Sequence, residues 1–227
     1  MNPNRIVAIL VALTALFTGV AAATGEESTA VLEPLPDKVV VLTFDDSVRS
    51  HYTVARPILQ RYGFGATFFI TEGFTFAWPG NAIELEALPI FQKHGMQWAR
   101  RGGFPEYPRG GERGFPYEPG LDHPLLIPSA GIPRPGYTFE EFVETLEGAR
   151  DGEVVVLQFH GVPEGEHPWV HVSRATFERF MTYLDEHDFQ VIALRDLARY
   201  VDWRVEPKEP MKIVEIRKAK LADSVVP

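Results

Sequence analysis

The 227-residue chain contains no cysteine. No disulfide can staple it, no lipid can be attached through a thiol, and any bound metal must be held by His, Asp or Glu. It also lacks a basic cluster: 22 Lys and Arg stand against 31 Asp and Glu, a formal net charge of −9. An acidic chain repels a phosphate backbone, so nucleic acid is excluded as the expected partner, and a neutral or locally cationic substrate fits better. No internal repeat is visible, and a single apolar run, at the start, is long enough to raise the question of a membrane. Residues 1–23 read as a secretory signal peptide, with Arg5 as the positive region, residues 6–20 as the apolar stretch and Ala21-Ala22-Ala23 as the cleavage site. A retained anchor is the alternative, weakened by Thr14, Thr18 and Gly19. The expectation is a secreted or periplasmic protein with no stable membrane span after cleavage.

What is present reads as one domain of ordinary size. Residues 24–37 form a polar linker, 38–203 the domain, and 204–227 a charged tail to which no function is assigned. Apolar, β-branched runs at 38–43, 65–70 and 154–160 have the composition of buried parallel strands. Shorter strands are expected at 75–78, 96–100 and 190–193. Helical spacing marks 51–62, 83–94 (with Pro89 inside it), a segment opened by the capping pair Thr138 and Glu141, and 173–187. Alternating strands and helices give an α/β fold with parallel strands. The Gly- and Pro-rich stretch 101–136 is expected to be a long irregular loop.

Parallel α/β folds gather their chemistry at the carboxyl ends of strands. Asp45-Asp46 closes the first strand, Trp78-Pro79-Gly80-Asn81 the third, and His160 the run 154–160. Adjacent aspartates diverge, so one can hold a metal while its neighbour takes a proton from a bound water. A His on another strand end can protonate a leaving amine. Alternatively the two aspartates merely cap the following helix.

Thr43-Phe44-Asp45-Asp46 is similar to the first motif of the polysaccharide deacetylases of carbohydrate esterase family 4, the NodB-homology family. Leu157-Gln158-Phe159-His160 resembles their last motif, residues 76–81 their central Pro-Gly motif, and residues 62–69 their second strand. The resemblance implies a distorted (β/α) barrel and a hydrolase that removes acetyl groups from a sugar polymer, such as an N-acetylated glycan, by metal-assisted hydrolysis of an amide bond. It implies Asp45 as general base, His160 as general acid and Asp46 as a ligand of zinc or another divalent metal; Trp78, Pro79 and Arg100 are the residues expected to bind the substrate.

One part of the family pattern is missing. Two histidines four apart should complete the metal site between the second strand and the Pro-Gly strand, but no His occurs between His51 and His94. A parallel crossover needs about a dozen residues, and only residues 71–74 are available. The expected barrel is therefore incomplete, lacking a βα block after the second strand. A catalytically inactive carbohydrate-binding remnant is the alternative function. His51, His167 and His171 are conceivable substitute ligands, although Pro168 and Trp169 disfavour a helix between the last two. Arg100 and Arg101 either orient Asp45 or are surface charges. Trp78, Tyr107, Tyr117 and Trp169 either form a sugar platform or pack beneath the long loop.

Overall fold

The computed structural model describes residues 32–69, 75–107, 114–165 and 167–224. The signal peptide expected over 1–23, residues 24–31 of the linker and the connection 71–74 lie outside the described residues. No helix among the described residues is long and apolar enough to cross a membrane.

The centre of the fold is β1 (Val39–Phe44), whose six residues are all buried. One edge pairs in parallel along its length with β5 (Val155–Phe159), from Val40↔Val155 to Phe44↔Phe159. The other edge is shared. β6 (Gln190–Ile192) takes the first half and β2 (Thr67–Phe68) the second, both parallel. A second parallel sheet joins β3 (Thr75–Ala77) to β4 (Trp98–Arg100). The mixed α/β fold with parallel strands is therefore as expected.

The stretch 101–136 is not merely a loop. Ile127 bridges to Arg100 of β4, and Gly131 bridges to Leu157 of β5, both in parallel sense, so this segment connects the two sheets. It does so at close quarters. A Cβ on Gly114 would come within 1.9 Å of the Ser129 carbonyl, so only glycine fits there. Among the described residues no pairing joins β3 back to β2.

The two-residue period of a strand divides the interior. Val40, Leu42 and Phe44 of β1 pack with Val155, Leu157 and Phe159 of β5 beneath the helices α1 (Arg56–Tyr62), α3 (Phe139–Leu146) and α4 (Arg174–Glu186). Val39 and Val41 point the other way, onto Val156, Trp98 and Ile127. The capping pair expected at Thr138 and Glu141 forms in both directions and opens α3.

Proline shapes two of the helices. Pro57, in the first turn of α1, has no N–H to give the preceding turn, and His51–Ala55 winds instead as a π-turn whose Arg56 N–H reaches the His51 carbonyl. Pro89 occupies the first turn of α2 (Leu88–Lys93), where no donor is required, and the helix expected from residue 83 is correspondingly shorter.

The boundary expected after Trp203 is not a packing boundary. The tail forms α5 (Lys212–Ser224), and its Val214 and Arg217 are buried. Glu206 accepts from buried His123 across 2.9 Å, while His123 Nδ1 accepts the Leu125 N–H at 3.0 Å. That pair of contacts requires the neutral tautomer with the proton on Nε2. Burial accordingly pushes His123 below its ordinary value of 6.5, and it does the same to His51 and His160.

Histidines held neutral bind fewer protons folded than unfolded, so stability is lost as pH falls from 6.5 toward each lowered value, by about 1.4 kcal/mol per pH unit for each group. Asp122 and Glu153, raised by burial, oppose the trend because they take up protons in the fold. The urea midpoint is expected to drop between pH 7.5 and 5.5, and His123→Gln should flatten the drop. A midpoint constant over that range would contradict the neutral tautomer.

Candidate active site

The second face of the sheet is apolar at its base and polar at its upper end. Along β1 it runs Val39, Val41, Thr43 and then Asp45; along β5 it runs Val156, Gln158 and then His160; along β4, Trp98 and then Arg100. Strand alternation thus brings Asp45, Gln158 and His160 to one place on the first sheet, and Arg100 reaches the same place from β4 of the second.

Asp45 is held from two sides. Arg100 Nη2 donates to both carboxylate oxygens at 2.7 Å, and Gln158 Nε2 donates to Oδ2 at 3.0 Å. Arg100 is only 2 % exposed and lies 5.2 Å from the Phe69 ring centroid, so it is not a surface charge. Its Nη1 donates to Ser129 Oγ at 3.0 Å, which places that hydroxyl 3.0 Å from Gln158 Oε1 and 2.9 Å from the Arg101 carbonyl. Ser129 therefore ties together the two groups that hold Asp45. The helix-capping alternative for Asp45 and Asp46 fails, because Ser50 precedes the helical turn and no side chain caps it.

His160 Nε2 faces Asp45 Oδ2 at 3.8 Å, beyond hydrogen-bond length, and its buried Nδ1 has no partner. Burial lowers its pKa, with Asp45 and Asp46 pulling the other way. The strand-end loops are cross-tied: His51 Nε2 donates to the His160 carbonyl at 2.7 Å, and Ser50 Oγ accepts the Val162 N–H at 2.9 Å.

Asp46 leaves the strand in the left-handed region, at φ 69°, followed by Ser47 at φ 51°. Two successive non-glycine residues there cost on the order of 1 kcal/mol each and turn Asp46 outward. It lines a cleft of about 530 Å³ with Ser47, Arg49, Ser50, Thr53 and Glu164. A smaller hollow of about 280 Å³ opens beside it over His51, Tyr52 and Phe68.

The donor set does not fit the zinc that the resemblance implies. A catalytic zinc takes three protein ligands. Here the His51 Nε2 proton is committed to a carbonyl, and His167 and His171 turn their Nδ1 atoms to Glu164, each at 2.6 Å. Among the described residues no three His, Asp or Glu converge on a point that could hold a metal.

The other expected binding residues fall as follows. Trp78 is 5 % exposed, donates its Nε1–H to the Leu125 carbonyl at 2.7 Å and packs with Phe76 and Phe91, so it offers no face to a sugar. Tyr117 is likewise core. Pro79 sits exposed in a single 3₁₀ turn, and Trp169 is exposed against His167. Arg100 reaches Asp45 from inside the protein rather than presenting itself to a ligand. Gln158 and Ser129 were missed: Gln158 is detectable as the lone amide in an apolar run, whereas Ser129 gives no signal.

Truncating Arg100 strands a carboxylate that is only partly solvated. Arg100→Leu is expected to cost about 2–4 kcal/mol, and adding Asp45→Asn should recover part of it, because the double change leaves no unpaired charge. Additive losses in denaturant melts would show that the pair is not coupled.

Residues 33–106 match the family model described as Polysaccharide deacetylase. No curated protein and no solved structure matches the chain. His160 lies beyond the matched residues, whereas Asp45, Asp46 and Arg100 lie within them, so the segment that supplies the held carboxylate and its guanidinium is the part of the chain similar to the polysaccharide deacetylase family.

Proposed function

We propose that this protein is a deacetylase-like hydrolase acting on an acetylated sugar polymer, with Asp45 as general base and His160 as general acid. The observation that carries the proposal is the Asp45 carboxylate, fixed by Arg100 and Gln158 and facing the His160 imidazole at 3.8 Å. A base is efficient when its lone pair is already aimed, and hydrogen bonds to both oxygens remove the rotational freedom of the carboxylate. The gap between Asp45 and His160 is too long for a direct hydrogen bond. It suits two groups that act on opposite sides of one reacting centre: Asp45 takes a proton from the attacking water, and His160 gives one to the departing nitrogen or oxygen. The adjoining cleft, with its hydroxyls and carboxylates, suits a hydroxyl-rich chain. No step is assigned to a metal, because the donors do not converge.

The absent βα block belongs to the same reading. β2 and β3 are the strands on either side of residues 71–74, and a histidine-bearing strand would sit between them. The expected signal peptide would place the activity outside the cytoplasm. A second reading, glycan binding without turnover, is favoured by that same incomplete donor set.

His160 must be protonated to act as an acid, and its pKa is lowered from 6.5. The rate should therefore fall as pH rises through a value below 6.5. Acetate release from acetylated chito-oligosaccharides, assayed with and without added zinc, is expected to show that basic limb. Asp45→Asn and His160→Ala should each lower the rate at least about 100-fold. Wild-type rates in both variants would overturn the roles. No acetate release, with retention on immobilised glycan that survives Asp45→Asn, would establish the second reading.

A further inference from the structure

The charged tail contributes a buried, multiply paired guanidinium to the fold. Arg217, on α5, is 1 % exposed. Its Nη1 and Nη2 donate to Asp122 Oδ1 and Oδ2, each at 2.8 Å, and Nη2 also donates to Glu118 Oε1 at 2.8 Å and the Pro116 carbonyl at 3.2 Å. The guanidinium lies 4.9 Å from the Phe115 ring centroid and 3.6 Å from Glu106. Every one of these partners comes from the segment that follows β4.

Arg101 completes the cluster from the β4 side. It meets Glu106 through two bonds of 2.6 Å, donates to the Leu126 and Phe104 carbonyls at 2.9 Å, and lies 3.8 Å from Asp122. Two guanidiniums thus meet three carboxylates, of which Glu106 and Asp122 are dry and Glu118 is partly exposed, so one formal negative charge is left over. Burial already raises Asp122, and Arg217 opposes the rise through its hydrogen bonds and its charge. Without Arg217 the carboxylates would have to take up a proton or move toward water. Residues 101–107 and 114–131 would move first, because isolated bridges rather than ladders hold them to the sheets.

That segment carries Ser129. The Ser129 hydroxyl lies 2.9 Å from the Arg101 carbonyl and accepts from Arg100, which grips Asp45. We propose that Arg217 is a positioning residue for the active site: the C-terminal helix, through Asp122, Glu106 and Arg101, sets Ser129 and thereby fixes Arg100 against Asp45. The inference rests on the reading of Asp45 as the functional carboxylate, and its test needs no turnover, so the two can fail separately.

The experiment follows the guanidinium N–H signals of Arg100 by NMR in the full chain. A guanidinium pinned to both oxygens of one carboxylate rotates slowly and gives resolved signals. In Arg217→Met these signals should collapse, and the amides of residues 98–101, 127 and 129–131 should exchange at least about tenfold faster, while the Val40, Leu42 and Val155 methyl signals, on the other face of the sheet, stay in place. Arg217→Lys, which keeps the charge but loses the two-armed grip, should broaden the Arg100 signals with the same methyls unmoved. Unchanged Arg100 signals in either folded variant would overturn the proposal, as would core methyls that shift together with Arg100. If Arg217→Met does not fold, Arg217→Lys decides by the same criteria.

Discussion

The ion pair between Arg100 and Asp45 is the constraint around which the rest of the site is organised. A guanidinium 2 % exposed must be neutralised and hydrogen-bonded, and it cannot shed its proton to escape the cost. Asp45 neutralises it and Ser129 accepts from its other arm, while Phe69 covers it. Because the carboxylate belongs to β1 and the guanidinium to β4, the pair also joins the two sheets at their functional end. Ile127 and Gly131 join them by backbone bridges lower down. The same contact therefore serves the packing of the fold and the aim of the candidate base.

Much of this was legible in the sequence, because strand alternation is simple arithmetic. Once residues 39–44 and 155–159 are parallel neighbours in register, the positions that follow the apolar ones on the shared face are Asp45, Gln158 and His160. Arg100 follows Trp98 by the same rule. The expectation that Arg100 or Arg101 orients Asp45 came from resemblance, and geometry selects Arg100. What the sequence hid were contacts between distant, irregular segments. Ser129 sits among glycines and prolines with no periodicity to read. Trp78 was open to two readings, a sugar platform or packing beneath the long loop, and the Leu125 carbonyl that accepts its indole N–H inside the fold decides for packing. Arg217 lies in a charged run that resembles a solvated tail, and only partners about a hundred residues away make it core.

The two aspartates that open the motif have different fates, and backbone geometry explains why. Asp45 continues the ladder through its N–H to the Phe159 carbonyl at 2.9 Å, so its side chain inherits the inward face. Asp46 steps into the left-handed region and turns to the cleft. Its carboxylate therefore faces the cleft rather than the interior. The histidines that would meet it are not among the donors gathered there. His51, the nearest by sequence, bonds instead to the His160 carbonyl and ties together the loops that follow β1 and β5.

Two halves of a site can be held independently of each other only if they depend on different parts of the scaffold. Here they do. Asp45, Gln158, His160 and Arg100 are carried by β1, β5 and β4, which the segment 101–131 and the C-terminal helix brace from one side. The expected metal histidines belong between β2 and β3, on the side where no pairing joins the sheets among the described residues. The bracing reaches Asp45 through Arg101 and Ser129 without crossing that gap. The arrangement of Arg100, Gln158 and His160 around Asp45 therefore stands on its own support, independent of the side where the expected histidines would lie.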